Sequence, residues 1–361
     1  MSQTNPLPFH RVTSIARDAT GENGPIVITP MPGGASTRKF ARVLFPSGKT
    51  AVAIYVPEAQ GSDEIVKPNT QAVRWPFLEI RDLLAHRGIS VPTILHESCS
   101  DGLLLVEDLG DHTLAVALER FPHLKTALYQ RAIADLAHAQ QALADLPESS
   151  IIRTRAFDSD LLKWEVDHFR EWALEARGIE LTKVEREVFE RAKDYLSHTI
   201  ADFRPCFVHR DYQSRNIMVR FDEKDTFALT WIDFQDALMG PRTYDLVALL
   251  GDSYQTFDKA FIDARLQEYS SFFDLDGQAQ QRLRYEFDLV TVQRKLKDAG
   301  RFIFIDRVKN NPSFLGFVEP TIDKVFLALK RLRSEPTLAA LEEVLTHRLR
   351  PARVTSLRPK S

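Results

Sequence analysis

Cysteine is nearly absent from the 361 residues: Cys99 and Cys206 stand far apart, with no metal-ligand spacing between them. A disulfide scaffold and a cysteine metal site are thereby excluded, and both thiols are expected to be reduced, in a reducing compartment. No uninterrupted apolar run approaches the roughly 18 residues that a spanning helix needs. The opening "MSQTNPLPFHR" carries no apolar core of a signal peptide, so the expectation is a cytoplasmic protein, neither secreted nor membrane-spanning. Charge of one sign is missing as well. With 47 Lys and Arg against 50 Asp and Glu, the formal net charge is −3, which leaves no electrostatic footprint for nucleic acid. Internal repeats and long low-complexity segments are lacking too.

What is present is an ordinary globular composition, 44% hydrophobic and 27% charged, in a chain long enough for two lobes. The first hundred residues alternate like strands. "PIVITPM", "RKFARVLF" and "TAVAIYV" are separated by the glycine loop "PGGAST" and the turn "PSGK". Pro76 opens a helix, "FLEIRDLLAHRG", that Gly88 is suited to end. "VPTILHES" and "GLLLVEDLG" supply two more strands. From about Thr113 onward helical periodicity dominates. The expected fold class is α+β, with a small β-rich lobe over residues 1–107 and a larger, mainly helical lobe over 108–348. A basic, flexible tail over 349–361 follows.

The chemistry is concentrated in "FVHRDYQSRNIMVR", residues 207–220. Phe207-Val208 and Ile217-Met218-Val219 read as short buried strands around a polar loop. Seventeen residues past Asn216, the apolar run of "WIDFQD" ends on Asp233. Asp211, Asn216 and Asp233 would then sit at the ends of neighbouring strands, an oxygen-rich set suited to Mg²⁺ and phosphate. Five fixed positions (His, Asp, Asn, Asp, Phe) at roughly 5% each arise by accident with a chance of about 10⁻⁴ in such a chain. A single HxD, by contrast, means nothing.

The order of glycine loop, HxDxxxxN and strand-ending Asp resembles the protein-kinase-like superfold. "HRDYQSRNIMV" and "WIDFQDALMGPRTYDLVAL" are similar to the aminoglycoside phosphotransferase and choline kinase group, with IDF where protein kinases carry DFG. "PFLEIRDLLAHRGISVPTIL", "LLKWEVDHFREW" and "VQRKLKDAGRF" resemble bacterial kinases that phosphorylate N-acetylmuramate and N-acetylglucosamine at the anomeric hydroxyl. The resemblance implies an ATP- and Mg²⁺-dependent enzyme acting on a small hydroxylated metabolite, without nucleic-acid or membrane partners.

Residue by residue, the resemblance gives Asp211 the general-base position and makes Asn216 and Asp233 metal ligands. His209 and Arg210 belong to the same catalytic loop, which His209 braces, and Asp245 anchors that loop through backbone contacts. Gln235 and Asp236 touch a second metal or the substrate, or are merely surface. Gly33 and Gly34 would let the backbone approach the phosphates while Ser36 and Thr37 donate to them. The backbone of Glu107, Asp108 and Leu109 would pair with adenine. One departure stands out: the strand "AVAIYV" places Tyr55 where the group has a phosphate-binding lysine. If "PSGK" closes a hairpin, Arg42 lies opposite Ala53 on the face of Tyr55 and partly replaces that lysine, paired with Glu79; an ordinary exposed Arg42 is the competing reading. Glu165, Trp172 and Arg294 are the acceptor candidates, although the same helix could bury Trp164, Phe169 and Trp172 in the core. Aminoglycosides and choline are alternative acceptors, disfavoured by the basic tail. A nucleotide-binding pseudokinase serving as an interaction protein is the other class, suggested by Tyr55 and opposed by the intact Asp211, Asn216 and Asp233.

Overall fold

The computed structural model describes residues 7–32, 38–56, 75–222 and 226–356. In chain order the elements are α1 (Phe9–Thr20), β1 (Val27–Pro30), β2 (Lys39–Leu44), β3 (Thr50–Tyr55), α2 (Pro76–His86), β4 (Ile94–Ser98), β5 (Leu103–Glu107), α3 (Leu114–Arg120), α4 (Lys125–Ala142), α5 (Ser159–His168), α6 (Lys183–Ala201), β6 (Pro205–Val208), β7 (Ile217–Phe221), β8 (Phe227–Trp231), β9 (Leu238–Pro241), α7 (Tyr244–Leu250), α8 (Lys259–Ser271), α9 (Gly277–Lys309), α10 (Val318–Arg331) and α11 (Pro336–Ser356). They form two compact units. The first takes residues 1–120 together with 215–236, and the second takes 121–214 and 237–361. A single break at residue 107 does not describe this division, because the chain returns to the first unit after residue 214. The last helix continues into the basic segment as far as Ser356.

The first unit is built on a five-stranded antiparallel sheet of order β1-β2-β3-β5-β4. Strand alternation sends odd-numbered residues of β2 and β3 to one face and even-numbered ones to the other. Ala41, Val43, Ala51, Ala53 and Tyr55 pack with Leu103 and Leu105 against Val12, Ile15 and Ala16 of α1. Ile54 joins Leu104, Val106 and Leu78 of α2 on the opposite face, with Phe40 and Val52 beside them. The helix α1 was not legible as such. Its side-chain cap is missing, and only Val12, Ile15 and Ala16 mark its buried stripe. Gly48, at φ +83, closes the β2–β3 turn by donating its amide to Phe45 O at 2.9 Å. A second ladder, β7–β8, belongs to this unit through the bridge of Met218 to Thr113 and the bond from Trp231 N–H to Ser90 O at 2.9 Å.

The second unit is helical around α9, a 33-residue helix buried along most of its length. α9 packs against α5, α7 and α10. Gly300 lets it approach α5, since a Cβ at that position would collide with the His168 carbonyl. Thr182 and Glu185 form a reciprocal capping box at the start of α6, satisfying two otherwise orphaned backbone amides. β6 pairs with β9. The strand preceding Asp211 and the strand following Asn216 thus pair in different two-stranded ladders, where the sequence suggested neighbouring strands. Among the described residues, no helix is long and apolar enough to cross a membrane.

Candidate active site

In the first unit, Asn216 and Asp233 leave the same end of the β7–β8 ladder. Ile217 pairs with Trp231, and one step further Ile232 N–H donates to Asn216 O at 3.0 Å. Phe234 is fully buried and its ring stacks on Phe77 of α2, centroids 5.0 Å apart. Asp233 itself has φ +65. That left-handed backbone costs about 1–2 kcal/mol for an L-residue. Asn216 Nδ2 donates to Asp233 Oδ2 at 3.4 Å, and Gln235 Nε2 donates to Oδ1 at 3.2 Å. Arg38, just ahead of β2, donates to Asp233 Oδ1 at 2.5 Å and to Gln235 Oε1 at 2.8 Å. One carboxylate and one amide oxygen are hard donors, and the site already holds positive charge. Among the described residues no cluster of three or more His, Cys, Asp or Glu could enclose a metal. Such a sparse oxygen set fits Mg²⁺, which in phosphate sites takes one or two carboxylates and fills its other positions from phosphates and water.

In the second unit, α7 and the residue pair just beyond it hold the loop that follows β6. Every residue of α7 is buried. Asp245, in its first turn, accepts His209 N–H at 2.6 Å and Arg210 N–H at 3.0 Å. Burial drives the Asp245 carboxyl up while these two amides and Arg294 pull it down, and the balance stands at about 7. Asp252, just past α7, accepts both the amide and the hydroxyl of Ser214, at 2.8 and 2.5 Å. The loop is thus gripped at both ends. Between them, Arg210 adopts φ +79, and the Nδ1 of the fully buried His209 accepts Asp211 N–H at 3.3 Å. Arg294 donates to Arg210 O at 2.7 Å and to Asp211 Oδ1 at 3.5 Å. Asp211 remains 27% exposed, enough for a carboxylate to meet a substrate hydroxyl.

Two of the acceptor candidates change character. Glu165 and Arg294 are almost wholly inaccessible, at 0% and 1%. Glu165 accepts from Gln293 Nε2 at 2.8 Å, from Tyr244 O–H at 3.4 Å and from Arg210 at 3.5 Å. Arg294 lies over the Tyr244 ring at 4.6 Å. Both side chains serve a buried network behind the loop, where an unpaired charge would be costly, and neither faces outward to take an acceptor. Trp172 is half-buried, with its ring edge-on to Phe304 at 5.0 Å and beside His168 at 6.2 Å.

The nucleotide-cradle expectations also shift. Gly33, Gly34, Ser36 and Thr37 lie outside the described residues. Glu107 N–H donates to Thr93 O at 2.8 Å, so that amide is spent inside the sheet rather than offered to adenine. Arg42 pairs across the ladder with Val52, not Ala53, which puts it on the face opposite Tyr55. Its partner is not Glu79: it donates to Asp108 Oδ2 at 2.6 Å and to Asp111 Oδ1 at 2.8 Å. These two carboxylates raise the Arg42 guanidinium further above its ordinary value. The clasp ties β2 to the segment after β5. Because the Asp108 side chain is only 5% exposed, Arg42→Ala takes the cation from a sheltered carboxylate that keeps its bond from the Gly110 amide, and should cost about 1–3 kcal/mol, seen as a lower melting temperature. Adding Tyr55→Lys should deepen the loss, since the lysine would enter the α1-side core; recovery of stability and activity in the double variant would overturn this register.

Arg38 and Asp252 escaped sequence reading. Arg38 is 195 residues from Asp233, and no spacing rule spans such a distance. Asp252 could have been suspected from "GDSYQ", where a carboxylate directly follows a helix and faces its neighbours' amides.

Comparison with known proteins agrees in direction. A family profile described as "Phosphotransferase enzyme family" matches residues 27–284. The N-acetylmuramate/N-acetylglucosamine kinase of Pseudomonas aeruginosa is 30% identical over 333 residues, covering 90% of this chain and 89% of that protein. Choline kinase from Cryptosporidium parvum superposes with a TM-score of 0.59 at 11% identity, covering 93% of this chain and 99% of that one. An ADP-bound aminoglycoside phosphotransferase gives a TM-score of 0.56 at 16% identity, over 87% of this chain and 97% of that one. The fold of this chain is the two-lobed protein-kinase-like fold.

Proposed function

The chain belongs to the phosphotransferase enzyme family, and from that membership we propose that it transfers the γ-phosphoryl group of ATP to the anomeric hydroxyl of an N-acetylated amino sugar. ATP-dependent transfer to a hydroxyl follows from the family and its kinase relatives. The acceptor is argued from the Pseudomonas aeruginosa relative, whose name specifies N-acetylmuramate and N-acetylglucosamine and which matches along nearly the whole chain.

One observation carries the chemistry: Asp211 is held by Arg294 and by a loop that Asp245 and Asp252 pin from below. In phosphoryl transfer the protein contributes positioning and charge stabilisation more than covalent chemistry. Asp211 orients the acceptor hydroxyl and takes its proton as the oxygen bonds to phosphorus. Asn216 and Asp233 would hold Mg²⁺, which when bound neutralises charge on the nucleotide phosphates. Arg294 and Glu165 act behind the loop as positioning residues, keeping the Asp211 backbone in place.

The test is an ADP-release assay over N-acetylmuramate, N-acetylglucosamine, choline, ethanolamine and aminoglycosides. One of the two amino sugars should give the highest kcat/KM. Phosphorylation at the anomeric oxygen should abolish the sugar's reducing-end reaction and yield an acid-labile phosphate. A preference for choline or an aminoglycoside would replace the proposed acceptor. Nucleotide binding without turnover on any of them would point to a pseudokinase.

A further inference from the structure

Positive charge is needed wherever a triphosphate binds, yet strand β3, "TAVAIY", carries none. Its residues facing α2 are the apolar Val52 and Ile54, and Tyr55 belongs to the other face. Arg42 is engaged by Asp108 and Asp111. Arg38 stands elsewhere. It has the parity of Phe40, on the α2 face of the sheet, and its guanidinium meets Asp233 at 2.5 Å and Gln235 at 2.8 Å. The Arg38 side chain is 20% exposed and Asp233 34%, so the pair is sheltered without being sealed from solvent.

We propose that Arg38 is the phosphate-binding cation of this enzyme, taking over from the head of β2 the task that β3 leaves unfilled. The inference rests on the proposed role of Asp233 at the nucleotide phosphates. Two oxygens that share one Mg²⁺ lie within about 4 Å of each other. A guanidinium already touching Asp233 would thus stand beside a phosphate oxygen that shared a metal with it. Arginine's planar fork suits such oxygens and keeps its charge at every working pH. Gln235 orients the fork. Its Oε1 accepts from Arg38, while its Nε2 donates to Asp233 and, at 2.9 Å, to Asp236. The carboxamide thus holds acid and base in register.

The experiment is calorimetric titration of the full-length protein with ATP, ADP and adenosine, with EDTA in place of metal, for wild type, Arg38→Ala, Arg38→Gln and Arg38→Lys. Melting curves verify that each variant is folded. Arg38→Ala and Arg38→Gln should weaken ATP binding at least about tenfold, the size of one lost charge-assisted contact. Adenosine binding should stay unchanged, and Arg38→Lys should recover most of the ATP affinity. Equal loss for ATP and adenosine would make Arg38 a merely structural residue and overturn the proposal. So would wild-type ATP affinity in both neutral variants. Failure of the wild-type protein itself to bind ATP would overturn the reading of the whole site, an outcome distinct from a failure at Arg38 alone.

Discussion

Asp233→Asn should leave a folded protein with turnover reduced at least about a thousandfold, or roughly 4 kcal/mol in the barrier. Asparagine is the informative replacement, because Asp233 sits at φ +65 and asparagine tolerates that left-handed backbone better than alanine does. The amide oxygen can take the place of Oδ1 and still accept from Gln235 and Arg38, while its NH₂ meets the Asn216 donor, so only the 3.4 Å bond to Asn216 is lost. What disappears is the negative charge, and with it the proposed carboxylate ligand for Mg²⁺ and the counter-charge of Arg38. Asp233→Ala should match it in turnover while adding a small loss of stability from the backbone. Steady-state kinetics at saturating Mg²⁺, with calorimetry of ATP in the presence of Mg²⁺, check both. Unchanged turnover would remove Asp233 from the metal site.

The second large effect is expected at Asp211. Asp211→Asn keeps the shape and can still accept from Arg294, which reaches Asp211 Oδ1 at 3.5 Å, so the loop should keep its course. Loss of the charge proposed to accept the proton should lower kcat by roughly 10²-fold or more, with nucleotide affinity near wild type. His209→Ala offers the contrast. Its ring is fully buried and accepts the Asp211 amide, so its removal should lower the melting temperature along with activity. If His209→Ala melts like wild type and selectively loses the chemical step, the two roles are reversed.

The residues whose partners lie close in sequence were the ones legible without coordinates. The β2–β3 hairpin follows from alternation and Gly48, and α2 follows from Pro76 and its apolar spacing. The His209–Asn216 loop and Asp233 were visible because polar residues at that spacing interrupt buried strands. A one-residue register error was enough to misplace Arg42. The strand period is two, so a shift of one moves a side chain to the other face. Val52, not Ala53, lies opposite Arg42, and Tyr55 turned out to be core.

The amino-acid sequence by itself determined the hydrophobic alternation, the course of helices such as α2 and the set of oxygen-bearing side chains proposed for phosphoryl transfer. Those properties depend on neighbours within a turn or a strand, where spacing translates directly into geometry. Tertiary structure alone decided which charge answers which. It gave Asp233 to Arg38, gave Asp108 and Asp111 to Arg42, and set Glu165 and Arg294 behind the catalytic loop. A charge carries no period and no preferred separation along the chain. Its partner is fixed only when folding makes burial costly and leaves one opposite charge within reach.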